Sequence, residues 1–315
     1  MTDLALPPGV RPYNRGESIA AARKNVNVAV FGAAKTGKTY FAVRSERPLY
    51  IAYLDPNPNL DAQLVQSEQD GFTGEVYKLV IPTMKYSLLT DDEATKRVRM
   101  VEQFADWARA TARTKAAAGE PTGAFVIDGA VKLKGYIEKM LLGESATLGY
   151  RAQRGQRGGP STYDYAASNA YMMDVVSAFA GVPLDVVTTW EGRRIWDPTF
   201  DDTGRRVGAS PTDRYSSSMP DVASYAIGAQ VETFIDQVPI VVDNKLTGQY
   251  RYENKIRIGW NAYAGYLQGR TMKAKTFKEL KALFLGDLDD SMLEPEGTVV
   301  NPVVLNSEGL GGSDE

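Results

Sequence analysis

The sequence predicts an α/β fold: a mostly parallel sheet with helices on both faces, ending in an antiparallel hairpin near the C-terminus. Two observations carry the prediction. Short apolar runs with strand character alternate with helix-like stretches over the first two thirds of the chain, and two β-rich segments then follow with only a turn between them.

Taken in order, Asn25 to Phe31 places Val26, Val28 and Val30 at period two, and a glycine-rich turn follows at once. Leu49 to Leu54 is a second strand, closed by Asp55-Pro56-Asn57-Pro58, a stretch that neither helix nor strand crosses. Thr90-Asp91-Asp92-Glu93 has capping-box spacing, and Val98, Val101, Phe104, Ala105 and Ala108 share the helical face that follows. Ala124 to Ile127 is a third strand, Lys132 to Leu142 a helix, and Gly143 to Tyr165 an irregular loop. Asn169 to Phe179 is helical and Leu184 to Thr189 is a fourth strand, after which Glu191 to Pro220 shows no period. Ala229 to Val242 and Tyr250 to Ile258 form the hairpin, with its turn at Leu246-Thr247-Gly248, and Trp260, Tyr263 and Tyr266 read as packing.

Composition removes whole classes of chemistry. The 315 residues are 43% hydrophobic and 24% charged, enough for a substantial core, and they contain no cysteine and no histidine. Disulfides, thiolate metal sites, histidine ligands, Ser/His/Asp triads and cysteine nucleophiles are excluded. The net charge of -3 is unevenly spread: Asp287 to Glu315 holds eight acidic and no basic residues, so residues 1–286 carry a net +5. The expected organisation is an N-terminal arm (1–24), one α/β domain (25–286) and a disordered acidic tail (287–315). With no leader-like N-terminus and no long apolar run, a soluble cytoplasmic protein without membrane contact is expected.

Gly32-Ala33-Ala34-Lys35-Thr36-Gly37-Lys38-Thr39 matches GxxxxGK[ST] at every fixed position, directly after a strand and before a helix-compatible stretch starting at Tyr40. Glycines let such a loop wrap phosphates with its backbone N–H groups. Lys38 reaches the terminal phosphates and the Thr39 hydroxyl meets Mg²⁺. Residues 32–40 are therefore the nucleotide-binding set, with ATP and Mg²⁺ as cofactors. The apolar strand ending in Asp128 supplies a second anchor for the metal from a neighbouring strand. Asp55, at the end of the second strand, is a candidate to activate water, or simply the first residue of a turn.

The order of these parts resembles the RecA-like P-loop NTPase core, and more narrowly the phage-encoded RecA-like proteins of recombination and single-strand annealing, over roughly Asn25 to Ile258. The resemblance implies an ATPase with Asp55 as water-activating acid, Asp128 as ligand of the metal's water, and Thr189 as sensor of the γ-phosphate. It implies loops that face single-stranded DNA: Arg151, Arg154 and Arg157 beside Tyr150, Tyr163 and Tyr165 in the first, Arg193 and Arg194 in the second. It further implies a homo-oligomer in which Lys255 and Arg257 reach the neighbouring subunit's nucleotide, and the cytoplasm of an infected bacterial host. The acidic tail is offered to a basic or single-strand-binding protein. Two other classes stay open on the residues alone: a P-loop small-molecule kinase with the arginine-rich loops as its lid, and an ATP-controlled assembly factor without nucleic acid.

Overall fold

Strand β1 (Asn27–Gly32) sends Val28 and Val30 to one side of the sheet and Ala29 and Phe31 to the other, all buried, so helices must cover it on both sides. The computed structural model describes residues 25–54, 59–82, 84, 88–143, 162–218, 227–242, 245–273, 276–288 and 290–295. The other strands are β2 (Leu49–Tyr53), β3 (Val76–Val80), β4 (Ala124–Asp128), β5 (Asp185–Phe200), β6 (Arg206–Ser217), β7 (Ala229–Val242), β8 (Lys245–Asn261) and β9 (Thr271–Met272). The helices are α1 (Lys38–Val43), α2 (Leu60–Gln69), α3 (Asp91–Ala117), α4 (Ala130–Leu142), α5 (Thr162–Ser177) and α6 (Phe277–Leu285).

The sheet order is β3-β2-β4-β5-β1-β7-β8-β9, with β6 paired to the far half of β5. From β3 to β7 every pairing is parallel; β7–β8 and β8–β9 are antiparallel. The predicted mixed sheet and closing hairpin are therefore present. One face buries Tyr50, Phe125, Ile127 and Trp190 under α3, α4 and α5, through Val98, Val101, Leu133 and Met172. The other buries Val30, Ile51, Val126 and Ile256 under α1, α2 and α6, through Phe41, Leu60 and Phe277. Thr90 caps α3 as expected, its Oγ1 accepting the Glu93 N–H at 3.2 Å, and α6 starts with a complete capping box between Thr276 and Glu279.

Four expectations are corrected. Residues 191–218 are not a structureless loop: β5 runs on to Phe200 and pairs with β6 as an antiparallel ribbon from Gly192↔Ser217 outward. Leu246 to Gly248 lie inside β8, which is already paired with β7 from Val242↔Lys245. Helix α5 begins at Thr162 rather than Asn169. The C-terminal tail does not leave the domain at Asp287. Leu293 is buried at 2% exposure, and Glu294 pairs with Lys255 at 3.0 Å, so residues 290–295 are fixed to the sheet edge. Of the three late aromatics, Tyr263 packs, its ring 5.3 Å from Phe284 and its hydroxyl accepting the Asn27 N–H, whereas Tyr266 is exposed. No helix among the described residues is long and apolar enough to cross a membrane.

The architecture positions a site in one specific way. β1 stops at Gly32, opposite Glu191, but both of its neighbours continue: β5 into the β5–β6 ribbon and β7 into the β7–β8 ribbon. The loop after β1 thus emerges between two ribbons at the carboxyl edge of the parallel strands, where ligands of open α/β sheets bind.

Candidate nucleotide-binding site

The loop from Gly32 to Thr39 needs unusual backbone. Gly37 sits at φ +89° and caps α1, and even Lys35 is left-handed at φ +64°. A Cβ on Gly32 would stand 2.2 Å from the Thr233 carbonyl oxygen of β7, and one on Gly192 would stand 2.8 Å from the Gly32 carbonyl carbon. Both walls of the loop are thus backbone in van der Waals contact, which only glycine permits. Thr36 is buried and belongs to this scaffold: its hydroxyl donates to the Ala33 carbonyl at 2.9 Å and lies 2.8 Å from the Thr233 hydroxyl.

Lys38 donates to the carbonyls of Gly32 at 3.1 Å and Ala33 at 2.6 Å, which holds its ammonium over the mouth of the loop. Thr39 donates its hydroxyl to Asp128 Oδ2 at 2.7 Å. The other oxygen of Asp128 accepts from the Thr189 hydroxyl, and that hydroxyl accepts the Gly129 N–H at 2.8 Å. Asp128 and Thr189 are each 2% exposed. A hydroxyl and a carboxylate are hard oxygen donors suited to Mg²⁺, which completes its shell with phosphate oxygens and water. The residues fit that ion, and Thr39 and Asp128 would hold it. Among the described residues no cluster of three or more acidic side chains offers a competing, all-protein metal cage.

Asp128 nevertheless reaches Thr39 from further away than the sequence suggests. Its strand is not the neighbour of β1, since β5 lies between them and pairs with both. That inserted strand brings Thr189 to the other carboxylate oxygen of Asp128, to which its hydroxyl is committed. Trp190, next along β5, is 1% exposed and donates its indole N–H to the Thr188 hydroxyl at 2.8 Å, anchoring β5 beneath the cleft.

The cleft measures about 720 Å³, within the range of small-molecule sites, and runs from the loop across the carboxyl ends of β5 and β4 to the start of α2. Gly32, Ala34, Lys35, Gly37, Lys38 and Thr39 line it, with Thr189. Ala33 and Thr36 support it from behind. Tyr40 faces away, its ring under the Arg44 guanidinium at 3.3 Å. Asn59, Gln63, Lys132 and Glu191 also line the cleft, and sequence reasoning did not single them out. For Lys132 and Glu191 a signal existed: each follows within five residues of a predicted strand end, the edge where ligands collect. A second cavity, about 280 Å³ between α3 and α5, has Glu102, Asp106 and Asp174 in its wall, and the cation there, Arg109, is committed to Asp106 and the Ala178 carbonyl.

No protein-family model matches the chain, and neither does any curated protein sequence. A fold neighbour is found. A KaiC-like protein from the hyperthermophilic archaeon Pyrococcus horikoshii superposes with a TM-score of 0.34 at 9% sequence identity, over 79% of this chain and 85% of that one. A superposition that loose decides nothing about chemistry, which rests on the cleft itself.

The remaining predicted site residues divide three ways. Asp55, Arg151, Arg154 and Arg157 lie outside the described residues. Arg193 and Arg194 stand at the root of the β5–β6 ribbon, beside Gly192 of the cleft. Lys255 and Arg257 are not presented outward as a trans-acting pair. Lys255 is 7% exposed and bridges Asp236 at 2.8 Å and Glu294 at 3.0 Å, while Arg257 pairs with Glu232 at 2.9 Å and lies over the Phe234 ring. Their alternation along β8 marks an internally neutralised face, and the carboxylates that neutralise it come from β7 and from beyond α6.

Proposed function

We propose that this chain is a Mg²⁺-dependent ATPase of the RecA-like type that works on single-stranded DNA. The observation that carries the nucleotide reading is the hydrogen-bonded corner Thr39–Asp128–Thr189, with Lys38 held on the Gly32 and Ala33 carbonyls, at the mouth of a glycine-walled loop. Mg²⁺, when bound there, supplies charge neutralisation across the phosphates. The backbone of residues 32–39 binds them, Lys38 places its cation where negative charge grows on the transferred group, and Thr189 holds the Asp128 carboxylate in its rotamer. Among the described residues Glu191 is a carboxylate of the cleft wall able to take a proton from water, and Asp55 is the acid that the resemblance implies. Glu191 is favoured by a specific fact, its place in the cleft wall opposite Gly32.

The DNA part of the reading is supported by the ribbon that continues the cleft. Arg193, Trp196 and Phe200 are exposed along β5, with Trp196 and Phe200 at 57% and 58%, and guanidinium with aromatic faces is what a single strand needs for phosphate contact and stacking. The experiment is ATP hydrolysis by the wild type and by Lys38→Ala, each with and without single-stranded DNA. Turnover that DNA stimulates and Lys38→Ala abolishes is the expected result. Turnover indifferent to DNA removes the nucleic-acid half, and turnover surviving in folded Lys38→Ala removes the whole reading.

A further inference from the structure

The cleft holds one group that its phosphate-handling corner leaves unexplained. Gln63 lines it from α2, half-buried, and its amide oxygen is turned away from solvent with no hydrogen-bond partner among the described residues, so a rotation of the side chain into the cleft would gain it one. Buried polar atoms nearly always find partners, and an orphan beside a binding cleft points to a partner that arrives with the ligand. The helix that carries it is well fixed. Leu60 and Leu64, one turn apart, are buried in the same core as Phe41 of α1, which sets Gln63 at the edge of the face turned toward the loop.

The topology says which end of a nucleotide meets Gln63. β2 ends in register with the metal corner: Tyr53 is paired with Asp128, and the Leu54 N–H donates to the Asp128 carbonyl at 2.9 Å. α2 comes after β2 in the chain and packs on α1, so Asn59 and Gln63 line the same cleft as Lys38, Thr39 and Gly129, the residue after Asp128. A metal held by Thr39 and Asp128 would neutralise the charge of the transferring phosphate, so this corner marks the reacting end.

We propose that Gln63 orients the attacking water against the terminal phosphate of the bound triphosphate. The inference rests on the nucleotide reading above and adds a residue to it. A primary amide suits the task because it offers an acceptor and a donor side by side without charge: the carbonyl oxygen accepts from the water and the amino group donates to a γ-phosphate oxygen. In the step itself the water oxygen bonds to the γ-phosphorus as the bond from that phosphorus to the β–γ bridging oxygen breaks. The electron pair stays on the diphosphate, and the water's proton leaves to the carboxylate base or to the released phosphate. Gln63 takes no proton.

The test compares wild type with Gln63→Ala and Gln63→Leu, the second filling nearly the same volume. Four quantities are measured: kcat, the Kd for ATP, trapping of ADP with aluminium fluoride as a mimic of the transferring phosphoryl group, and the melting temperature of the nucleotide-free protein. The expected result is a kcat lower by about tenfold or more, a Kd within about threefold of wild type, loss of aluminium fluoride trapping, and a melting temperature unchanged or raised because a buried orphan acceptor is gone. An unchanged kcat in either folded variant overturns the proposal. So does a loss confined to Kd, which would place the amide on the base or ribose. A wild type that neither binds nor hydrolyses ATP overturns the nucleotide reading itself, a result distinct from active wild type with active Gln63→Ala.

Discussion

Asp185 stands at the amino end of β5, the strand whose other end shapes the cleft, and Asp185→Asn isolates what its charge does to stability. The residue is 1% exposed; its Oδ1 accepts the Val26 N–H at 2.8 Å and its Oδ2 accepts from the Lys281 ammonium at 2.7 Å. Lys281 pairs also with Glu46 at 3.0 Å. Burial raises the Asp185 carboxyl from 3.8 to about 6, with the Lys281 pairing and the Val26 N–H opposing the rise without cancelling it. Because the folded value exceeds the unfolded one, the folded chain keeps a proton that the unfolded chain has released between those two values. The contribution is therefore fully present below about pH 4 and lost as pH rises through about 6. A span of roughly two pH units at about 1.4 kcal/mol each gives about 3 kcal/mol. Asparagine does not titrate, so the difference in unfolding free energy, wild type minus Asp185→Asn, cancels the groups the two proteins share. Urea unfolding followed by tryptophan fluorescence from about pH 4 to about pH 8 should show that difference falling by about 3 kcal/mol and levelling off by about pH 7. A flat difference, or one that grows with pH, would mean that the Lys281 pairing outweighs burial, and the reasoning would be refuted.

Other expectations concern the cleft. Gly192→Ala puts a Cβ 2.8 Å from the Gly32 carbonyl carbon, so β5 and β1 must part at the root of the loop. A stability loss of about 1–3 kcal/mol with at least a tenfold weaker ATP affinity is expected by calorimetry and titration, and an unperturbed affinity would show that the loop tolerates the shift. Asp128→Asn keeps an oxygen for one of the two hydroxyls but loses the charge that suits Mg²⁺. The expected outcome is hydrolysis lower by about 10²-fold at saturating ATP and a raised Mg²⁺ requirement, and a normal Mg²⁺ titration would release Asp128 from the metal role.

How much of this the sequence discloses depends on whether the signal is local. The phosphate loop is legible because its chemistry fixes residue types at adjacent positions, and Gly32 and Gly37 are glycines for reasons of backbone contact and φ that hold wherever such a loop occurs. The β5–β6 ribbon is illegible for the opposite reason. Trp196, Phe200 and Val207 are all exposed, so among the described residues the two strands have no buried face for an apolar alternation to record. Helix α2 hides similarly, since Leu60 and Leu64 are its only buried apolar residues and a single turn does not make a period. Lys255 shows the limit of pattern reading. On β8 it looks like half of a solvated stripe, and only the fold brings Asp236 and Glu294 to it from 19 and 39 positions away.

The placement of the loop between two ribbons ties these observations to one another. A loop that closes on phosphate must hold its glycines against rigid walls, and here the walls are strands that have outrun β1 on either side: Thr233 of β7 against Gly32 and Thr36, Gly192 of β5 against Gly32. Each wall is also the root of a projecting ribbon. A shift of a few tenths of an ångström at Gly32 cannot be absorbed by side chains, because the contacts are backbone to backbone, so it must pass to β5, to β7 or to both. Arg193 and Arg194 follow Gly192 directly on β5, and Asn254, whose side chain comes within 3.1 Å of where a Gly37 Cβ would stand, lies on β8 of the other ribbon. Gly192, which touches the loop, and Arg193 and Arg194 of the β5–β6 ribbon are consecutive on β5, so a shift of the loop has a direct mechanical route into that ribbon.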